Sequence, residues 1–471
     1  MKATASRPKI TITTDGRGVV SHAGSRLLAD LADRVTLTGE LSEGLSGLRR
    51  PRTRHDPGRV LIDLAVAVAD GAQTISDIAV LVDQPELFGP VASDSTCWRV
   101  LDAIGTPQLA AIHRARAAAR ELVWAQRAEV TGSACPPACA GGRQLSGLVI
   151  DLDATIVVCH SDKEQTAPTF KHTFGYHPMV AFLDNTGEAL AGMLRAGNAG
   201  ANTAADHISV LDAALAQIPD AYSHGSRLLV RTDTAGCTKA FLTHIRRLRQ
   251  QEVASEFSVG WAITDRERAA IAQLPATAWT AAIDTTGDVC DVEQVAVAEL
   301  TGLLSIPANY PDGMRIIVRR ERPHPGAQLD AFEERDGYRY TAHATDTPDG
   351  QLAHLDARHR AHARIEDRIR CGKNTGLGHF PSRVFSINAA WLGVVLLATD
   401  LLAWTQTLLL TDHPDLTRAE PKTLRYRLLH TAARITRGQR RTWLRIPHNW
   451  PWAAPLAAAF TRLATLPIPQ T

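Results

Sequence analysis

Two carboxylates stand two residues apart in an apolar run, Gly147-Leu-Val-Ile-Asp-Leu-Asp-Ala-Thr-Ile-Val-Val158. The β-branched content reads as a buried strand. Alternate side chains of a strand share a face, so Asp151 and Asp153 project together. Two acids on a buried strand repel one another and lose hydration, which is costly unless something compensates. A divalent cation would compensate; a strand end where one Asp caps a turn is the plainer alternative. A second apolar strand, Arg227-Leu-Leu-Val-Arg-Thr-Asp233, also ends in an acid. A third acid, Glu366, lies in the charged helical stretch 352–373, on one side with His359, His362, Arg370 and Lys373. A lone Glu on an Arg-rich helix is ordinarily a surface ion pair of little worth. Its meaning therefore depends on the other two carboxylates.

The elements around these acids have a readable order. After the opening strand, residues 175–184 and 188–195 read as strands around the turn Asn185-Thr186-Gly187. A helix over 202–217, the strand ending at Asp233, a helix over 238–251 and a strand over 257–263 follow. A right-handed crossover brings the fourth strand beside the first and places Asp233 near Asp153. This α/β order matches a ribonuclease H-like core. Short strands at 276–283, 289–300, 315–320 and 338–344 predict a β-rich insertion over about 264–345. Upstream, residues 1–57 read as a poorly packed lead-in, with a short hairpin between 11–14 and Val19-Val20. Helices follow over 60–68, 74–82 and 97–104, the last capped by Ser93 or Ser95. These fit a helix-turn-helix or a plain bundle equally. A longer helix over 107–129 leads to a Gly/Pro/Cys linker. The expected organisation is a helical N-terminal DNA-binding region (1–142), a catalytic domain with its insertion (143–388) and a helical, basic C-terminal region (389–471).

Composition narrows the partners. The 471 residues fit two to four folding units, and 45% hydrophobic content supports a real core. Net charge is only +2. Basic residues nevertheless cluster around Arg49 to Arg54, Arg246 to Arg249, Arg319 to Arg322 and across 425–445, which suits a polyanion. Seven scattered cysteines imply no disulfide framework and a reducing, cytoplasmic setting. Cys135 and Cys139 form a lone close pair without zinc-ribbon spacing. The first 15 residues carry no signal-peptide pattern. Residues 389–410 are apolar enough to mimic a membrane span, but Asp400 at the middle would cost about 2.5–3.5 kcal/mol there. A core helix is the better reading, with no membrane partner. Gly372-Lys373-Asn374-Thr375 fails as a phosphate loop, because the first glycine is missing and Asn374 replaces Ser/Thr.

Together these motifs resemble DDE transposases of the insertion-sequence 4 superfamily, and within it the insertion-sequence 1380 family. The resemblance rests on Asp151-Leu-Asp153-Ala-Thr155, on Arg231-Thr-Asp233-Thr-Ala-Gly236 and on Ile365-Glu366-Asp-Arg-Ile-Arg370. It extends through Phe380-Pro381-Ser382 and Asn388 to Ala433-Arg-Ile-Thr-Arg437 and Trp450-Pro-Trp452, covering about residues 55–455. It implies that Asp153, Asp233 and Glu366 are catalytic and hold two Mg²⁺ ions, with Mn²⁺ as a substitute. Asp151 becomes an outer neighbour of the metal site. The superfamily's Tyr-x2-Arg-x3-Glu-x6-Lys signature reads here as His359-x2-His362-x3-Glu366-x6-Lys373, so Glu and Lys match while both other positions are histidine. Lys373, Arg364, Arg370, Arg319, Arg320, Arg437, Arg440, Arg441 and Arg445 are the expected DNA contacts. The implied activity is cleavage at transposon ends and strand transfer into target DNA. The implied partners are inverted-repeat end DNA, target DNA and a second copy of the chain in a synaptic homodimer.

Two rival readings belong to other classes. Hydrophobic strand plus Asp-x-Asp-x-Thr is also the nucleophile motif of haloacid-dehalogenase-like phosphatases, with Asp151 attacking phosphorus and Asp153 as acid/base. That reading leaves Glu366 and the basic tail unexplained. The other is a catalytically inactive, DNA-binding transposase relic.

Overall fold

The apolar run carrying Asp151 and Asp153 is strand β1 (Leu148–Ala154) of a nine-stranded sheet. The computed structural model describes residues 10–51, 54–438 and 441–467. β1 pairs antiparallel with β2 (Met179–Leu183), and β2 with β3 (Ala189–Met193). On its other edge β1 lies parallel to β4 (Arg227–Thr232), which lies parallel to β5 (Ala254–Trp261). The sheet continues through β6 (Thr280–Ala281), β7 (Val295–Glu299), β8 (Arg315–Glu321) and β9 (Arg339–Thr345). Its order is β6-β7-β8-β9-β5-β4-β1-β2-β3. The helices framing it are α1 (Pro57–Asp70), α2 (Thr106–Thr131), α3 (Ala204–Leu215), α4 (Lys239–Arg247), α5 (Leu352–Arg360), α6 (Arg364–Gly372) and α7 (Phe385–Trp404).

Alternation along β1 divides its chemistry between two faces. Leu148, Ile150 and Leu152 enter the main core with Leu211 of α3 and Leu242 of α4. Val149 packs in a separate small cluster with Leu229 and Ala361. Asp151 and Asp153 share Val149's face, beneath the α5–α6 region. The main core is continuous from Val20 to Leu466, so the three expected segments share one interior.

The structure revises several expectations. Residues 1–57 are not a loose lead-in: among the described ones, Ser25–Arg34 and Leu37–Gly44 are helices with Leu27, Leu28, Leu31, Leu37 and Leu41 wholly buried. Their apolar spacing of three and four is helical. Val19–Val20 pairs with Ala433 and Arg434 rather than with residues 11–14. The expected second strand splits at Pro178. Phe174–Tyr176 joins Val157–Val158 and Ala167–Pro168 in a small sheet, and only Met179–Leu183 enters the large one. The predicted β-rich insertion continues the main sheet, β9 pairing antiparallel with β5. The helix expected over 352–373 breaks at a 3-10 turn, Ala361–Ala363, so His359, His362 and Glu366 do not line one straight face. The C-terminal region is not all helical. Ala433–Gly438 and Arg441–Arg445 form an antiparallel hairpin, because Ile435 and Leu444 alternate with polar residues at period two.

α7 with its continuation to Leu409 is long and apolar enough to cross a membrane, yet most of its apolar window is buried inside the protein. A helix apolar all round belongs in an interior. Asp400 is wholly buried between Arg116 and Arg120 of α2.

Candidate active site

Asp153 stands near the C-terminal end of β1. Asp233 follows β4 and caps the turn Thr234–Gly236, accepting from the Ala235 amide at 3.0 Å. Arg231 of β4 is in register with Asp151 of β1, which carries Asp233 alongside Asp153. Glu366 occupies the first turn of α6. Burial first, then the neighbouring Asp233 charge, with Glu366 adding, push the Asp153 carboxyl up to about 6. The amide of Ala154, at 2.7 Å, and His362 pull the other way. The topology thus brings the three sequence-predicted acids to one end of adjacent elements, close enough for their charges to interact.

Among the described residues none of these three acids forms an ion pair, whereas the fully buried acids beside them do. Asp151 takes a two-pronged bond from Arg231, Nε to Oδ1 at 2.7 Å and Nη2 to Oδ2 at 2.8 Å. It also bonds the His362 ring Nδ1 at 2.9 Å. Arg231 reaches on to Asp184 at 2.8 Å and to the Arg358 carbonyl at 2.9 Å. Asp184, just past β2, is gripped from α6 by Arg364, with Nε at 2.9 Å, and by Arg368 at 3.2 Å. Despite its burial, the Arg231, Arg364 and Arg368 charges hold Asp184 below the usual carboxylate range. Arg364 and Arg368 are one helical turn apart, so Glu366 between them points away from Asp184. One network therefore fixes β1, β2, β4 and α6 against each other behind the three unpaired acids.

The expected DNA contacts scatter. Lys373 lies at the site: its ammonium donates to the Ile156 carbonyl at 2.9 Å. Burial and Lys171 lower its pKa, while Asp153 raises it. Arg364 is bonded to Asp184. Arg319 is buried and paired with Asp356 at 2.8 Å. Arg320 lies over the Trp279 and Tyr338 rings at 4.4 and 4.6 Å. Arg370 is exposed but bonded to Glu420 at 2.8 Å and Asp367 at 3.0 Å. Arg437, Arg441 and Arg445 sit on the C-terminal hairpin, and Arg437 is 3.7 Å from Glu86. Arg440, like Arg52 of the first basic cluster, lies outside the described residues.

Sequence reasoning missed four supporting residues. Asp184 reads only as a strand end before a turn, and Arg231 only as part of a motif. His362 reads as a departure from one. Gly260 carried a usable signal, since a lone Gly inside a strand marks close backbone approach. A Cβ there would meet the Thr234 amide nitrogen at 2.6 Å and the Asp233 carbonyl carbon at 3.0 Å, so β5 must be bare where the Asp233 turn crosses it.

The unpaired acids offer hard oxygen donors of the kind magnesium and manganese take. Among the described residues the three-ligand group whose donor atoms lie within 4.8 Å of one another is a different one, His22, Asp70 and His430. Its atoms already bond one another. Asp70 is 2.6 Å from His22 and accepts from Ser25, and its backbone oxygen takes the His430 Nε2 at 2.8 Å. Burial alone would raise Asp70, but these hydrogen bonds hold it down at about 2. This cluster ties the N-terminal segment to the segment before the hairpin.

Among solved structures the chain is similar to a piggyBac transposase in a synaptic complex with hairpin DNA, determined by cryo-EM. Identity is 9% and the TM-score 0.40, over 88% of this chain and 81% of that one. No curated protein matches it. A family model described as Transposase DDE domain group 1 matches residues 2–468, and on that near-complete match the chain belongs to this family of DDE transposases.

Proposed function

We propose that the chain cuts DNA at transposon ends and transfers the freed 3′-hydroxyl into target DNA, with Asp153, Asp233 and Glu366 as its catalytic acids. One observation carries the reading: among the described residues these three acids form no ion pair, while the buried acids around them are each clamped by arginine. Mg²⁺ or Mn²⁺ held by the three would supply activation of the attacking oxygen and stabilisation of the leaving one, as in sites with ions about 3.5–4 Å apart. The chain's own groups do the rest. Arg231 and Asp151 set the strand ends, and Asp151 also holds the His362 ring through its Nδ1. Arg364 and Arg368 aim Glu366 by anchoring its helix. Lys373, beside Asp153, is placed to meet a phosphate oxygen near the scissile bond.

The core order β3-β2-β1-β4-β5, three antiparallel strands followed by two parallel ones, supports a ribonuclease H-like class for the catalytic domain. Membership of the insertion-sequence 1380 family remains our reading of the motifs around the three acids, as do inverted-repeat ends, target DNA and a synaptic homodimer as partners. The phosphatase alternative needs a free Asp151 nucleophile. Asp151 is instead wholly buried and doubly bonded by Arg231.

The test is incubation of the purified chain with duplexes from the DNA flanking its coding region, with Mg²⁺ or Mn²⁺. Nicks leaving 3′-hydroxyls, lost in Asp153→Ala but kept in Arg370→Gln, are expected. Binding without any cleavage would identify a relic. Turnover of p-nitrophenyl phosphate dependent on Asp151 would identify the phosphatase.

A further inference from the structure

The C-terminal hairpin divides its residues cleanly between two faces. Ile435 is buried and pairs across the ladder with Leu444, and Arg437 with Thr442, on the inner side. The outer side carries Arg434 opposite Arg445, Thr436 opposite Trp443, and Gly438 opposite Arg441. Val19, 64% exposed, extends the same side through its pairing with Arg434. Two features of this face work against stability. Arg434 and Arg445 are like charges directly opposite, a destabilising pair in a sheet. Trp443 is 49% exposed between arginines. Among the described residues none of Arg434, Arg441 and Arg445 has an ion-pair partner; Arg445 bonds only the Thr436 hydroxyl, at 2.9 Å. Other arginines of the chain, such as Arg116 and Arg462, are paired with acids. An unneutralised ribbon of arginine around an exposed indole is complementary to a regular polyanion with an apolar interior.

We propose that this face is a duplex-DNA docking ribbon, with Arg434, Arg441 and Arg445 on phosphates and Trp443 against the groove between them. The proposal rests on the reading of the chain as a DNA-cutting enzyme and adds the element that holds the duplex. A two-stranded ribbon fits a DNA groove. Arginines at both ends of the ladder and an aromatic at its centre place charge on the rim and apolar surface inside. Arg437, though exposed, projects from the opposite face, 3.7 Å from Glu86, and so lies outside this contact set.

The test uses full-length Asp153→Ala protein, so that DNA stays intact, and a short fluorescein-labelled mixed-sequence duplex read by anisotropy across a salt series. Replacing Arg434, Arg441 and Arg445 by Gln should flatten the slope of log K against log salt by about 2.7, or ~0.9 per lost phosphate contact. Trp443→Ala should weaken binding about tenfold at fixed salt, as an interface-centre tryptophan does, with the slope unchanged. Arg437→Gln should alter neither. Thermal melts of each variant check that Ile435 and Leu444 still anchor the hairpin. An unchanged slope in the folded triple variant overturns the proposal, and nicking by the wild-type chain would then leave the active-site reading standing. Hairpin-dependent binding to phosphatidylserine vesicles, with DNA affinity unaffected by the variants, also overturns it. Hairpin-dependent duplex binding by a wild-type chain that never nicks DNA upholds the ribbon and sinks the active-site reading alone.

Discussion

Asp153, proposed above as a catalytic acid, is held in a setting that disfavours its charge. Burial and the Asp233 and Glu366 charges raise its pKa to about 6, against an unfolded value of about 3.9. The folded chain therefore holds this proton more tightly than the unfolded one. Between those two values stability falls as pH rises, and above about 6 the ionised group costs about 3 kcal/mol. Asp153→Asn should accordingly raise the melting temperature at pH 8 by about 2–4 °C and leave it unchanged near pH 4, while abolishing nicking. Magnesium should stabilise the wild type at pH 8 more than at pH 5, and stabilise the variant little at either. A wild type that melts identically at both values with and without Mg²⁺ would sink this account. The three acids were legible because each sits at the end of, or within, a strongly patterned segment. Their supports were not, because Asp184, Arg231 and His362 meet only after β1, β2, β4 and the α5–α6 turn are assembled.

At the scale of elements, the site depends on a crossing and a clamp. The Asp233 turn passes so close over β5 that Gly260 leaves no room for a methyl group. Gly260→Ala should displace Asp233 and lower the nicking rate at least tenfold while secondary structure, read by circular dichroism, is kept; an active alanine variant would show that the turn has slack. The clamp is the Arg231 network. Arg231→Met would leave Asp151 and Asp184 buried without that cation, a loss of about 3–5 kcal/mol by the usual cost of breaking a buried pair. Chemical denaturation measures it, and a loss below ~1 kcal/mol would mean that Arg364 and Arg368 suffice for Asp184. The strand–helix order of the core was readable since period-two runs end in turn residues or acids. The β6–β9 extension was not, because which sheet edge a short strand joins is a long-range choice. The hairpin arginines read as helical and basic because the tertiary contacts of Ile435 and Leu444 set their period.

Across the whole molecule, one buried junction ties the N-terminal helices, the sheet and α7 together. Arg116 and Arg120 of α2 both bond Asp400 of α7 at 2.8 Å. Arg116 also reaches the β3 carbonyl of Leu190 at 3.3 Å. Arg120 continues to Glu188 at 2.8 Å and Gln217 at 2.7 Å. Glu188 in turn accepts from the indole nitrogens of Trp404 at 2.6 Å and Trp124 at 3.1 Å. Burial raises the Asp400 pKa while the two arginines oppose it. The acid that makes α7 a poor membrane span is therefore the acid that fixes it in the interior. Asp400→Leu would strand two guanidinium groups against a single remaining carboxylate, and should cost about 3–5 kcal/mol. Because the junction joins three parts of one continuous core, that loss should move a single unfolding transition rather than split it. Adding Arg116→Met to Asp400→Leu removes the surplus charge and fills the space, so much of the loss should return. Urea unfolding of the two variants separates the effects. If the double variant is no more stable than Asp400→Leu alone, the junction works through shape, not charge balance.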